Sequence, residues 1–254
     1  DVYKRQRFGM AREGNGALMG ALAAGIEHRG STVLTQTGCR RILVEDGRVT
    51  GVEIPDGQGG SREIAADLVI SNLGPDRTVA LAGGEEQFEM SYVRRLHTNA
   101  ADAPIMHISF VMDRPLIEDF DGCMVFGNTS NLIYLEIPST IADTMSPEGK
   151  YLHTAYGAPA DATAPDMDAE FDNAMRELEA NFPGVTEEAT FLVKAKHRGP
   201  APGMHRWAGY GLPVNTPIKG LFNVGDGCTP PGTIGTEGAA ASARVMAEMV
   251  LAGR

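Results

Sequence analysis

Cysteine is scarce in this sequence of 254 residues, and basic residues are outnumbered by acidic ones. The three cysteines, Cys39, Cys123 and Cys228, form no C-x-x-C pair and lack the spacing of metal ligands, so we expect no metal site and a reduced, cytoplasmic setting. The 22 Lys and Arg residues against 33 Asp and Glu residues give a formal net charge of −11. Because nucleic-acid binding needs a basic face, this charge argues against a nucleic-acid partner.

Long apolar runs are missing as well. No uninterrupted run approaches the roughly 20 residues that span a bilayer. A peripheral membrane contact of the full-length protein stays open, because a local apolar patch can act against the global charge.

The sequence also lacks the common catalytic motifs. It contains no Ser/His/Asp order, H-E-x-x-H motif, P-loop or Cys/His cluster. Glu136 and Asp143 do not form a convincing acid/base pair, and His107 and His153 are single histidines within strand patterns, which is typical of satisfied or solvated side chains. The catalytic residues are therefore unknown at this level.

One glycine-rich stretch, residues 220–244, organises the C-terminal part of the chain. It predicts a short strand from Leu221 to Val224, a turn with the carboxylate of Asp226, a Gly/Pro loop and a small-residue helix from about Thr236 to Leu251. This order places backbone N–H groups and a helix dipole against an electron-rich ligand. Glycines allow the backbone to approach such a ligand closely.

The N-terminal part predicts alternating helix and strands. Leu18, Leu22 and Ile26 recur at helical spacing, and Gly30 marks the end of that helix. Asp46 and Gly47, between alternating apolar and polar residues, predict a hairpin. The predicted elements are a helix over 14–28, strands over 32–37, 41–45, 49–54 and 66–72, and helices over 76–81 and 85–96. The last of these strands is apolar and ends in Ser71 and Asn72, as a buried parallel strand does where it meets a ligand.

A different pattern begins at about Pro104. Strands are predicted over 105–112, 122–126, 132–137, 150–156 and 190–196, with a helix over 168–181 and a loop over 138–149. Several strands with one amphipathic helix indicate an antiparallel sheet covered on one face. These strands are rich in Met, Phe and Tyr, which serve either as core or as the wall of an apolar pocket: Met106, Phe110, Met112, Met124, Phe126 and Tyr134. Both interpretations remain open.

The glycine-rich segment and the N-terminal pattern together resemble the phytoene-desaturase-like FAD-dependent oxidoreductases, the family of carotenoid desaturases and isomerases. The resemblance implies FAD as cofactor. Asp226 would bind the ribityl or pyrophosphate part, the amides of Thr236 and Glu237 would face the pyrimidine end of the flavin, and Cys39 would touch the adenine through its backbone. The implied FAD-binding set is Cys39, Ser71, Gly225, Asp226, Gly227, Ile234, Gly235, Thr236 and Glu237. The Gly225-Asp226-Gly227 turn is closer to the wider glutathione-reductase-like pattern than to that of the carotenoid desaturases.

The resemblance also implies the fold. We expect an α/β protein with an incomplete, glutathione-reductase-like Rossmann-type FAD-binding domain over 7–98 and 206–254, interrupted by an α+β substrate domain over 99–205 that is built on an antiparallel sheet. Residues 1–6 are encoded by a string that resembles a transposon end used to prepare sequencing libraries, so they are left out of the fold prediction. The G-x-G-x-x-G fingerprint, which lies at the N-terminus in this family, is absent. The chain is therefore expected to be an inactive fragment that binds FAD weakly or not at all on its own.

The expected activity is the desaturation, saturation or isomerisation of a small apolar, isoprenoid-like substrate, with the electron acceptor unknown. The flavin would perform the chemistry, so no strong acid, base or nucleophile is required of the chain. A flavin amine oxidase-like enzyme is an alternative, for which Trp207 and Tyr210 would supply aromatic residues beside the flavin. His197 and His205, around the same Gly/Pro loop, could also reach it. A carrier without flavin, like the GDP-dissociation inhibitors, is a third possibility.

Overall fold

The computed structural model describes residues 11–98, 104–120, 122–163, 165–198, 209–233 and 235–253. The chain divides into two compact units, one of residues 11–33 and 104–198 and one of residues 34–98 and 209–253 within the described ranges. The predicted FAD-binding domain began at residue 7, whereas the helix at 15–28 clusters with the other unit. The functional boundaries of the two domains stay a prediction.

The first unit contains α1 (Asn15–His28), β5 (Ile105–Met112), β6 (Cys123–Val125), β7 (Leu132–Glu136), α4 (Pro138–Ile141), β8 (Tyr151–Gly157), α5 (Met167–Asn181), α6 (Val185–Glu188) and β9 (Thr190–His197). Its five strands form one antiparallel sheet in the order β6-β7-β8-β5-β9. The predicted antiparallel sheet is therefore present. The segment predicted as a loop, 138–149, holds the short helix α4 and a 3-10 turn.

Helix α5 covers one face of this sheet because its apolar residues share one side. Phe171, Ala174 and Leu178 are spaced at helical intervals, and all three are buried. Asp166 caps the helix by accepting hydrogen bonds from the amides of Asp168 and Ala169, at 3.2 Å each. The face of the sheet beneath the helix supplies buried residues that include Met106, Ile108, Phe110, Met112 and Leu135.

The pattern of burial separates the Met, Phe and Tyr residues whose role was open. Met106, Phe110 and Met112 belong to the core, and Met124 and Phe126 pack against it. Tyr134 is half-buried, and its side chain bonds to Glu136 instead. Five of the six residues are thus core, and Tyr134 is the exception.

Helix α1 has the predicted extent, and Gly30 after it has the left-handed backbone expected of a helix end, with φ 78°. No residue of α1 is buried. Leu18, Leu22 and Ile26 are about half exposed.

The second unit contains β1 (Arg41–Glu45), β2 (Arg48–Pro55), β3 (Ser61–Ala65), β4 (Val69–Ser71), α2 (Pro75–Leu81), α3 (Met90–Thr98), β10 (Leu221–Asn223) and α7 (Gly235–Ala252). Strands β1, β2 and β3 form an antiparallel meander, and β4 pairs in parallel with β10. Asp46 and Gly47 form the predicted hairpin turn with positive φ at both positions, 49° and 72°. The predicted helix 85–96 is divided, because Phe88 is extended between a 3-10 turn and α3.

The strand predicted over 32–37 is wrong. Thr35 and Gln36 form a turn, and Gln36 has a φ of 54°, which ends an extended run. None of the strands in the described part of the chain pairs with this segment. An isolated strand leaves its backbone N–H and C=O groups without hydrogen-bond partners. Alternating side chains therefore do not produce a strand unless a neighbouring strand pairs with it.

None of the helices that the structure describes is long and apolar enough to cross a membrane. Within the same residues, no group of three or more His, Cys, Asp or Glu side chains is arranged to hold a metal ion.

Candidate functional site

The candidate site lies where β4 and β10 end. The two strands run in parallel with Asn223 opposite Ser71, and the amide of Val224 donates to the carbonyl oxygen of Ser71 at 2.9 Å. Both strands therefore stop at the same edge of the sheet. In open α/β sheets, ligands bind at the carboxyl ends of the strands, so this edge is where a cofactor is expected.

A buried hydrogen-bond network fixes this edge. The Thr78 hydroxyl of α2, which has no exposed surface, lies 2.7 Å from the Ser71 hydroxyl and 2.7 Å from Asn223 Oδ1. Asn223 Nδ2 donates to the hydroxyl of Tyr92 at 3.1 Å. Because an unpaired polar group costs about 1–3 kcal/mol when buried, these side chains hold the two strand ends in one arrangement. The Ser71 hydroxyl is thus bonded within the protein.

The turn after β10 depends on glycine. Gly225 has a φ of 95°, and a Cβ atom added there would lie 1.9 Å from Asn72 Oδ1. At Gly227 an added Cβ would lie 2.4 Å from Cδ of Pro75. The turn therefore needs glycine at 225 for its backbone conformation and at 227 for its close contact with the Pro75 ring. Asp226 lies between these glycines, half-buried, at the start of a 3-10 turn.

Helix α7 is tied to this turn by Ser242. The Gly225 amide donates to the Ser242 hydroxyl at 2.8 Å, and that hydroxyl donates to the carbonyl of Ala239 at 2.6 Å. Ser242 has no exposed surface. The bond places the first turn of α7, with Gly235, Thr236 and Glu237, beside the carboxyl ends of the strands.

The start of α7 has the chemistry of a flavin site. Thr236 and Glu237 are exposed, and the first turn of any helix has amides without partners inside the helix. These amides and the helix dipole stabilise negative charge, which a reduced flavin carries at its pyrimidine end. The glycines keep the turn narrow, and Asp226 supplies an acceptor for hydroxyl groups. The residues present therefore fit FAD.

Cys39 contacts Arg41 and the core of the second unit. Its thiol donates to the carbonyl of Arg41 at 3.3 Å, and its side chain packs against the core of the second unit. Burial raises the pKa of the Cys39 thiol, and the nearby carboxylate of Glu53 raises it further, against the opposing bond to Arg41. A raised pKa suits a structural cysteine rather than a reactive thiol.

Three further candidates, His153, Asp143 and Glu136, lie among the described residues. His153 is fully buried, and its ring stacks on Phe110 with centroids 4.8 Å apart. Asp143 lies in a 3-10 turn and Glu136 bonds to Tyr134, so they do not form a pair. The predicted contacts of Ile234, and the loop with His205 and Trp207, lie outside the described residues.

Sequence reasoning missed the residues that support the turn. Three polar residues, Thr78, Asn223 and Ser242, are fully or almost fully buried. Thr78 is hydrogen-bonded to Asn223, and Ser242 accepts from the Gly225 amide. The only signal in the sequence was the serine within a run of alanines in the C-terminal helix. A serine there gains from a backbone partner, because the hydroxyl otherwise competes with the helix.

Comparisons with known proteins identify the class. The family model described as "Flavin containing amine oxidoreductase" matches residues 3–251, so the chain belongs to this family of oxidoreductases. The FAD cofactor that the resemblance implied is confirmed, and so is the likeness to carotenoid isomerases.

Two curated relatives and one solved structure illustrate the likeness. Prolycopene isomerase 2, chloroplastic, of an Oncidium hybrid cultivar is 26% identical over 252 residues, covering 85% of this chain and 42% of the relative. Prolycopene isomerase, chloroplastic, of Arabidopsis thaliana is 25% identical over 250 residues, covering 85% and 41%. The crystal structure of an oxidoreductase from Methanosarcina mazei is 25% identical with a TM-score of 0.83, covering 92% of this chain and 54% of that one. The chain thus spans about two fifths of the length of the curated relatives.

Proposed function

We propose that the complete protein is an FAD-dependent oxidoreductase that desaturates, saturates or isomerises a small apolar, isoprenoid-like substrate. Membership of a flavin-containing oxidoreductase family supports the reaction class, and the likeness to prolycopene isomerases supports the substrate class. The observation that carries the proposal is the edge where β4 and β10 end, with Asp226 and the start of α7 held there by Ser242. The electron acceptor is not part of the proposal.

The proposed contacts follow from the chemistry of each group. Asp226 meets the ribityl or pyrophosphate part of FAD, where its carboxylate accepts from ribityl hydroxyls or its backbone N–H donates to a pyrophosphate oxygen. The amides of Thr236 and Glu237 face the pyrimidine end of the flavin. Cys39 meets the adenine through its backbone. FAD performs the redox chemistry when bound, while the chain orients it and stabilises its charge. The FAD-binding domain comprises the second unit together with residues 7–33. The antiparallel sheet over 104–198 belongs to the substrate domain.

A direct test is the visible spectrum of the complete reading frame that contains this sequence. The proposal expects a yellow, folded protein with the spectrum of bound flavin. The chain of 254 residues alone is expected to bind FAD weakly, since its sequence has no G-x-G-x-x-G turn for the pyrophosphate. Tight, stoichiometric FAD in the purified chain would contradict that second expectation and leave the first intact.

Oxidation of a C–N bond is the second candidate, and the description of the family favours it. Tyr210, which precedes β10 and is 47% exposed, also favours it as an aromatic residue. Oxidised flavin loses its colour when it oxidises a substrate, so anaerobic addition of substrate to the yellow protein separates amine oxidation from desaturation. Bleaching by an amine and not by an isoprenoid hydrocarbon would support the amine oxidase reading. A carrier without flavin predicts a colourless protein, and the family membership speaks against it.

We place the protein in the cytoplasm. The reduced cysteines, which are free in the structure, support this placement. A peripheral contact of the complete protein with a membrane is compatible with it, and sedimentation with lipid vesicles measures that contact.

A further inference from the structure

The second face of the five-stranded sheet differs from the face under α5. Directly opposite residues of neighbouring strands point to the same face of a sheet. The pairs on this face are His107 with Tyr156, Ser109 with Thr154, Tyr134 with Tyr156, and Glu136 with Thr154. We call these residues the polar face: His107, Ser109, Tyr134, Glu136, Thr154 and Tyr156.

The aromatic rings of the polar face form a row across three strands. The rings of His107 and Tyr156 stack with centroids 5.0 Å apart and planes 9° apart, and Tyr156 and Tyr134 are 5.6 Å apart. The Tyr134 hydroxyl and the His107 ring both reach polar side chains two residues away on their own strands, Glu136 and Ser109. The row therefore places hydrogen-bonding groups on this face.

Hydrogen bonds join the polar groups of this face into two sets, one of which contains the carboxylate of Glu136. The Tyr134 hydroxyl donates to Glu136 Oε2 at 2.6 Å. Burial raises the pKa of Tyr134, and the bond to Glu136 and the charge of Glu136 raise it further, so the phenol keeps its proton as a donor. His107 Nε2 lies 2.8 Å from the Ser109 hydroxyl, which lies 3.3 Å from that of Thr154.

The charge on this face is one-sided. Among the described strand residues, no Lys or Arg occupies a register position on the polar face. Lys194 and Lys196 pair with Ile108 and Met106, which puts them on the other face, and Lys196 forms an ion pair with Asp168. His197 lies on the polar face opposite Ile105. Burial lowers the pKa of His107, and His197 lowers it further, which keeps the His107 ring neutral near pH 7. Glu136 is therefore the strong acceptor of this face.

Aliphatic side chains flank the polar centre. Val125 lies opposite Tyr134 and is 69% exposed, and Val193 lies opposite Ser109 and is 37% exposed. These residues are on the outer strands β6 and β9, so the face spans about 19 Å from one to the other at the usual strand spacing. A polar centre with aliphatic borders matches a ligand that has one polar group on an apolar body.

We propose that the polar face binds the hydrogen-bond-donating head group, a hydroxyl or an ammonium, of an otherwise apolar ligand. The Glu136 carboxylate accepts from the head group, Tyr134 holds that carboxylate in place, and Val125 and Val193 contact the apolar body. The choice of an apolar body rests on the proposed function. The head-group site follows from the residues of the first unit alone.

The test is a binding titration of the chain of 254 residues, followed by NMR of its labelled methyl and amide groups. Three probes share one apolar body: geraniol, geranylamine and geranyl methyl ether, of which the ether has no donor. The expected result is that the alcohol or the amine shifts the signals of the polar face and binds more tightly than the ether. Binding of the alcohol but not the amine, or the reverse, identifies the head group.

Variants locate the contact. Glu136→Gln is expected to weaken binding of the donor probe by about ten-fold, the usual effect of losing a hydrogen bond to a charged group, and to leave the ether unchanged. Tyr134→Phe should weaken it less. Glu187→Gln removes the same charge from the exposed helix α6 and serves as the matched control. Far-UV circular dichroism checks that each variant folds.

Two results would overturn the inference. One is equal binding of all three probes with no effect of Glu136→Gln. The other is the absence of binding by any probe to the folded chain. Neither result touches the proposed flavin chemistry, because bound FAD is measured separately from the spectrum of the complete protein.

Discussion

The amide of Gly225 donates a hydrogen bond of 2.8 Å to the hydroxyl of Ser242, 17 residues later in the chain. This bond joins the turn that ends β10 to the middle of α7. It fixes where the helix begins relative to the strand ends. In the proposed FAD site, the position of the start of α7 thus depends on a serine that no active-site motif would select.

Replacement of Ser242 by alanine tests the importance of that bond. The buried Gly225 amide would lose its acceptor, so we expect the free energy of unfolding to fall by about 1–3 kcal/mol. Alanine favours a helix slightly more than serine, which reduces the loss by a few tenths of a kcal/mol. Urea denaturation measures the change. Ser91→Ala, at an exposed position of α3, carries the same gain in helix propensity and should leave stability nearly unchanged. Equal midpoints for the two variants would contradict the role of the bond.

The Gly225 turn makes a second prediction. Gly225→Ala forces a side chain into backbone with φ 95° and ψ −159°, which only glycine adopts readily, so we expect a loss of about 1–3 kcal/mol. Gly127 has no positive φ and no atom within 4 Å of an added Cβ. Gly127→Ala should therefore be neutral or slightly stabilising. Thermal melts of the two variants side by side measure the difference, and similar melting temperatures would contradict backbone strain at position 225.

Buried His153 predicts a dependence of stability on pH. The amide of Leu116 donates to His153 Nε2 at 3.1 Å, and Nδ1 has no hydrogen-bond partner among the described residues. Burial lowers the pKa of His153 to about 4, against a weak opposing effect of the carbonyls of Tyr151 and Phe110.

The direction of this pH dependence follows from the protonation of His153 in the unfolded and the folded chain. The unfolded chain takes up the His153 proton near pH 6.5, while the folded chain does so only near pH 4. The free energy of unfolding should therefore be highest above pH 6.5, fall between pH 6.5 and pH 4, and become level below. The total loss is up to about 3 kcal/mol.

His153→Gln keeps an acceptor for the Leu116 amide but takes up no proton in this pH range. The difference in the free energy of unfolding between the parent and His153→Gln should therefore narrow as the pH falls from 6.5 to 4. His28→Gln in the exposed helix α1 is the control for loss of a histidine, and it should retain the fall in stability between pH 6.5 and pH 4. Urea denaturation at several pH values measures both. Parallel curves for the parent and His153→Gln would show that His153 does not titrate as proposed.

Local signals in the sequence were enough to predict much of the fold. The Asp46-Gly47 turn and the helix over 14–28 were predicted because their signals lie within a few residues of one another. The strand over 32–37 was wrong because a strand needs a partner, and alternation does not show whether one exists. The division of the helix at Phe88 likewise depends on packing of that ring in the core.

The candidate site was predictable where glycine marks a close approach, as at Gly225 and Gly227. Its supporting bonds were not, since Thr78 and Asn223 are 145 residues apart. The polar face was missed for the same reason. Ser109 and Thr154 are 45 residues apart, and only the pairing of β5 with β8 brings them together.

The central claim is that FAD binds at the edge formed by β4, β10 and the start of α7. The most direct measurement is the flavin content of the complete protein, from its visible spectrum, for the parent and for Asp226→Ala. If FAD binds there, the parent chain holds one FAD and the variant has a lower affinity for FAD, with both proteins folded. A folded parent without colour, or full FAD affinity in Asp226→Ala, would contradict it.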